Sequence, residues 1–172
     1  MEDVKPIISQ LEKAHGGLVA TVGTVPDERW RSSPGGGAWS AGEVIAHLTM
    51  VETSVINGAE KVLSAAPRPV PLLKRFHVPV VAAKWRIRKV KSPIPLDPNL
   101  VKERPAMMDE FGKVRERTLK FIEQNRGRDL SPYRFPHPFF GSLNVYDWLR
   151  ILANHEVRHT KQIREMVELF QR

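Results

Sequence analysis

The sequence predicts an all-α protein, a four-helix bundle whose helices 2 and 3 are joined by a long, proline-rich, basic crossover. Three observations carry this expectation. Four stretches repeat apolar residues at steps of three and four, the breaks between them are rich in Pro and Gly, and no run alternates convincingly as a strand does. With 172 residues, the chain has the length of one domain able to bury a core without disulfides or structural metals, so a single domain over 1–172 is expected.

Helix 1 is expected from about residue 3 to 23, where Val4, Ile7, Ile8, Leu11, His15, Leu18, Val19 and Val22 form one stripe. The following "PDERWRSSPGGGAW" has two prolines and a triple glycine and reads as a loop. Helix 2 announces its start through Ser40-Ala41-Gly42-Glu43, a capping box, with Trp39 and Val44 placed for a hydrophobic staple. Its inward stripe runs Val44, His47, Leu48, Val51, Val55, Ala59, Val62. Helix 3 is expected after Asp97-Pro98-Asn99, with Leu100, Met107, Met108, Phe111, Val114, Thr118, Phe121 and Ile122 inward, and a stop at Asn125-Arg126-Gly127. Helix 4 spans roughly 143 to 170, its stripe reading Trp148, Leu152, His155, His159, Ile163, Met166, Phe170. A short helix near 80 to 90 is expected inside the crossover.

Composition removes several kinds of chemistry. There is no cysteine, which excludes thiolate metal sites, cysteine nucleophiles and disulfides, so any metal must be held by His, Asp or Glu. The acidic start Met1-Glu2-Asp3 leads into an amphipathic stretch, unlike a signal peptide, and no apolar run reaches about 20 residues; a soluble, cytoplasmic protein without a transmembrane segment is expected. The net charge is +8, and it is concentrated. Residues 61 to 96 hold nine Lys or Arg and no acidic residue, leaving −1 for the rest of the chain.

The histidines are the strongest chemical signal. In "NHEVRHTKQI" His155 and His159 are four residues apart, about 40° around a helix, and both fall on the inward stripe. His47 falls on the inward stripe of helix 2. Several neutral histidines in one core leave ring nitrogens to be satisfied, and a divalent ion would satisfy them. Periodicity therefore selects His47, His155 and His159 as a ligand set with an open coordination position, an arrangement typical of catalytic sites. The letters His-Glu-x-x-His also match a zinc-protease helix with Glu156 as general base. Such proteases take their third ligand downstream; the residue six past His159 is Glu165, and the chain ends 13 residues after His159. That leaves Glu156 as a weak candidate for a catalytic base, better read as solvated or as a support to the ligands. His15 reads as core, His137 as part of an extended loop fixed by Pro136 and Pro138, and Trp39 and Trp148 as core.

"WSAGEVIAHLTMVE", followed about a hundred residues later by "WLRILANHEVRHTKQI", resembles the DinB-like superfamily of metal-binding four-helix bundles; "RWRSSPGGGAWS" and "PHPFFGSLNVYDW" fit as well. The resemblance spans nearly the whole chain. It implies that a helix-2 histidine and the His-x-x-x-His pair of the last helix, here His47, His155 and His159, bind nickel, zinc, iron or manganese. Many members carry a second histidine after the last ligand, where this chain has Thr160. Members of known chemistry are thiol-dependent S-transferases and a related isomerase, which implies a metal-dependent transferase or hydrolase acting on a small molecule, a low-molecular-weight thiol as co-substrate, and a homodimer.

Two other readings stay open from the residues. One is a binding module whose segment 61–96, with Phe76 and Trp85 among its cations, contacts nucleic acid or an anionic surface. Nucleic acid is the weaker expectation, because the charge is confined to one segment that would equally steer an anionic co-substrate. The other is a metal-binding protein without catalysis.

Overall fold

The computed structural model describes residues 2–67 and 100–171. Helix α1 (Lys5–Val22) starts with Pro6 in its first turn, where a missing N–H costs nothing, and Asp3 Oδ1 accepts from the Lys5 N–H. A 3₁₀ turn at Asp27–Arg29 interrupts the loop that follows. Helix α2 (Ala41–Leu63) opens with the expected capping box: the Ser40 hydroxyl accepts from the Glu43 N–H while the Glu43 carboxylate accepts from the Ser40 N–H. Helix α3 (Arg104–Gln124) starts at an extended Glu103, with Pro105 in its first turn. Strands β1 (Arg134–His137) and β2 (Gly141–Asn144) form an antiparallel hairpin leading into α4 (Val145–Phe170), whose cap is the Asn144 side chain accepting from the Asp147 N–H.

The protein is the all-α four-helix bundle expected, and the hairpin adds two short strands that no alternation in the sequence disclosed. Pro136 lies within the extended strand and Pro138 opens the turn that follows it; residues 134–137 pair with 141–144, and Gly141 has φ +75°, a conformation glycine adopts without strain. Leu100 requires a correction: it precedes α3 and is exposed, whereas Val101 is buried in its place. The short helix expected near 80 to 90, with Val80, Val81, Lys84, Trp85 and Arg88 on one face, lies outside the described residues.

Contacts along the helices reveal why the connection between α2 and α3 is long. Glu2 meets Arg150, His15 meets Glu156, and Arg164 reaches Thr21, so α1 and α4 run in the same direction. On the other side Val44 and Leu48 share a cluster with Met107 and Phe111, whereas Val55 and Ala59 share one with Phe121 and Ile122, so α2 and α3 are parallel too. At about 1.5 Å per residue the 23 residues of α2 extend about 35 Å. A chain leaving the end of α2 must travel back that far before α3 begins, and segment 64–103 supplies the length.

Two apolar clusters fill the bundle. One gathers Ile7, Leu11, Ile56, Leu143, Tyr146 and Leu149 near the hairpin; the other gathers Leu18, Trp30, Val44, Ile45, Phe111 and Ile163. No described helix is long and apolar enough to cross a membrane.

Candidate metal centre

The first half of α2 and the middle of α4 bring three imidazoles together. His47 lies two turns past the Ser40 cap, and His155 and His159 occupy successive turns of α4. His155 Nε2 is 3.3 Å from His47 Nε2 and 3.0 Å from His159 Nε2. The ligand atoms of all three lie within 4.8 Å of one another, and this is the cluster of metal-ligating type among the described residues. Nitrogens bound to one ion at about 2.1 Å, with tetrahedral to octahedral angles, lie about 3.0–3.4 Å apart. The two separations, 3.3 and 3.0 Å, fall in that interval.

Proton counting points the same way. A neutral imidazole carries one N–H. The His159 proton belongs on Nδ1, where Gln162 Oε1 accepts it at 2.9 Å, so His159 Nε2 presents a lone pair. A proton on His155 Nε2 would satisfy one of its two neighbours and leave the other facing it unpaired. His47 Nδ1 is buried with no partner. A cation receiving three lone pairs resolves the convergence, and a donor set of neutral imidazoles suits zinc, nickel or iron. The histidines are held neutral by their surroundings. Burial lowers the pKa of His47 to about 4 and, with repulsion from a charged His47, that of His155 to about 3; burial and both neighbours push His159 well below its ordinary value.

Several residues complete the site beyond those three. Trp39, expected in the core, is only partly buried and stands against the rings of His47 and His159 at 4.8 and 6.2 Å, forming a wall of the site. Gln162 fixes the tautomer of His159, as the second hydrogen bond of a metal-binding histidine ordinarily does. A polar residue three positions after a candidate ligand was the available signal for it. Trp148 is buried as expected; its Nε1 donates to Phe135 O, and its ring stacks on Phe135 and meets His137.

Glu156 is neither solvated nor turned toward the three imidazoles' nitrogens. It is 1% exposed, and its carboxylate accepts from Arg115 Nη2 at 2.8 Å. The same guanidinium binds Glu52 in a fork at 3.0 and 2.8 Å and donates to Leu11 O, while the Thr118 hydroxyl donates to Glu52. Burial opposes the charge of Arg115, but the two carboxylates outweigh it and raise its pKa. His15 stands on the far side of Glu156, its Nδ1 3.4 Å from Glu156 Oε1, and it takes no place among the clustered imidazoles. This buried network links all four helices, and the apolar periodicity that located the helices passed over it.

A parallel-paired helical bundle with three inward imidazoles from its second and last helices describes a class of metal-site proteins, and sequence comparison agrees. The profile of the DinB superfamily matches residues 10–163, and the chain belongs to that superfamily. It is also similar to the uncharacterized protein YuaE of Bacillus subtilis (strain 168), with 29% identity over 147 residues, covering 85% of this chain and 88% of that protein.

Proposed function

We propose that this protein is a divalent-metal-dependent enzyme in which His47, His155 and His159 hold the ion, and that it acts on a small molecule through a coordinated thiol or water. The observation that carries this reading is the convergence of three neutral, lowered-pKa imidazoles on one point, with distances suited to a common ligand-bearing ion. A divalent ion bound there would act as a Lewis acid, lowering the pKa of a thiol or water so that it is nucleophilic near neutral pH. The chain's own residues supply the rest. The imidazoles contribute no charge, so the ion keeps its full positive charge for the reacting group. Gln162 presents the Nε2 lone pair of His159, and Trp39 excludes water from one side of the imidazoles. Glu156, committed to Arg115, is not the base in this reading.

Elemental analysis of tag-free protein beside His47→Ala, His155→Ala and His159→Ala tests the proposal. About one equivalent of nickel, zinc, iron or manganese in the parent and little in each variant is expected. A parent that takes up none of these ions, after incubation with each, would end the reading. A loaded protein that turns over no thiol or hydrolytic substrate in a broad screen would reduce it to metal binding alone.

A further inference from the structure

Trp39 is the residue through which the loop before α2 meets the imidazoles. Its indole lies nearly parallel to the His159 ring, at 18° and 6.2 Å, and against the His47 ring at 4.8 Å. It is partly exposed, whereas both histidines are buried. A partly exposed ring laid on two buried ones covers them.

The chain on either side of Trp39 is anchored unequally. Downstream, Ser40 is buried and bonded twice to Glu43 as the cap of α2. Upstream, Trp30 is buried, its Nε1 donates to Lys102 O, and its carbonyl accepts from the Gly42 N–H. Between these anchors residues 33–38 hold on to themselves. The Ser33 hydroxyl donates to Ala38 O at 2.6 Å and accepts from the Gly35 N–H at 3.1 Å, and the Ala38 N–H donates to Gly35 O at 3.1 Å. Among the described residues, no hydrogen bond joins 33–38 to the helices. Gly35, Gly36 and Gly37 have φ of +95°, +61° and +70°, and open space surrounds the place a Cβ would take at each. Three successive left-handed residues come at little cost to glycine alone. A segment whose hydrogen bonds are exposed and internal belongs to the parts of a fold that open locally.

Resting on the metal-site reading above, we propose that residues 33–39 are a lid on the three-histidine centre, with Trp39 as its latch. The lid is shut in this structure. Its opening lifts the indole off His47 and His159 and admits, on that side, the ion and the small molecule the ion binds. Ser33 sets how readily it opens, because its hydroxyl closes the loop on itself. His155 is only partly buried and offers a competing route.

Cobalt exchange separates a lid from a residue that merely packs the ligands. A lid changes the rates of entry and exit together and leaves the affinity where it was, whereas loosened ligands speed exit alone. Uptake of cobalt by metal-free protein, and its release to excess chelator, are followed in stopped flow by the visible absorption of the metal. Trp39→Ala is expected to speed uptake and release alike, by about tenfold or more. Ser33→Ala, which removes a bond within the loop and touches no imidazole, is expected to speed both by about threefold. Affinity should stay within about threefold of the parent in both variants, as for any change confined to a gate. Parent-like rates in either variant would overturn the lid and place the route at His155. Faster release at unchanged uptake would overturn it in favour of plain packing. Both of these results leave the metal site standing, whereas failure of the parent to take up cobalt would overturn the metal-site reading and this inference with it.

Discussion

His159 Nδ1 and Gln162 Oε1 are 2.9 Å apart on adjacent turns of α4, and this one contact decides which nitrogen of His159 faces His155. Removing it frees the imidazole to take either tautomer and to rotate. Gln162→Leu is therefore expected to weaken metal binding about 10- to 100-fold without loss of helix content, measured by competition against a chromophoric chelator. Unchanged affinity would mean that packing by Trp39 alone orients the ring.

The buried histidines also set the response to acid. In the unfolded chain imidazoles titrate near 6.5, whereas the folded values of His47 and His155 are about 4 and about 3. Between those limits the unfolded chain binds more protons, so stability must fall as pH is lowered. The urea midpoint of metal-free protein should drop steadily from pH 7 to pH 4.5, and the drop should be shallower in His47→Leu. A midpoint independent of pH over that window would show that the imidazoles reach water in the folded protein.

Arg115 is the guanidinium shared by two buried carboxylates, those of Glu52 and Glu156. Arg115→Met leaves Glu52 and Glu156 buried and uncompensated, at a cost of about 3–5 kcal/mol in chemical denaturation. Arg115→Lys should rescue little, since one ammonium cannot reproduce the fork to Glu52 together with the contacts to Glu156 and Leu11.

Two glycines in helices should respond oppositely to alanine. A methyl group at Gly42 would lie 2.5 Å from Val101 Cγ1 and 3.2 Å from the Trp30 indole, so Gly42→Ala is expected to lower Tm despite its gain of about 1 kcal/mol in helix propensity. At Gly112 nothing stands within 4 Å, and Gly112→Ala should raise Tm. Equal shifts in both would mean that the loop before α3 yields easily.

The helices were readable because each buries an apolar stripe, and the ends were readable where side chains cap the backbone, as at Ser40 and Glu43. The three imidazoles were readable for the same reason: they replace apolar residues on those stripes. The hairpin was not, since its strands are four residues each and include Pro136 and Gly141, leaving no alternation to detect. Glu52, Arg115 and Glu156 were missed because charge ordinarily marks a solvated face. Only the fold reveals that their stripe positions meet, and that Leu11 contributes a backbone carbonyl to the same guanidinium. Leu100 misled in the opposite direction: its place in the pattern was inward, but α3 begins four residues later.

The ionic network around Arg115 acts as an index mark between helices. Apolar ridges tolerate sliding, since one leucine resembles another a turn away, about 5.4 Å along the axis. A guanidinium forked onto Glu52 of α2 and bonded to Glu156 of α4 does not, because a slip of one turn would strand every charge it joins. Glu52 lies five residues after His47, and Glu156 directly follows His155. The same bonds that forbid sliding of α2 against α4 thus fix the spacing of the imidazoles, and an ion held there as proposed above would not have to assemble the helices.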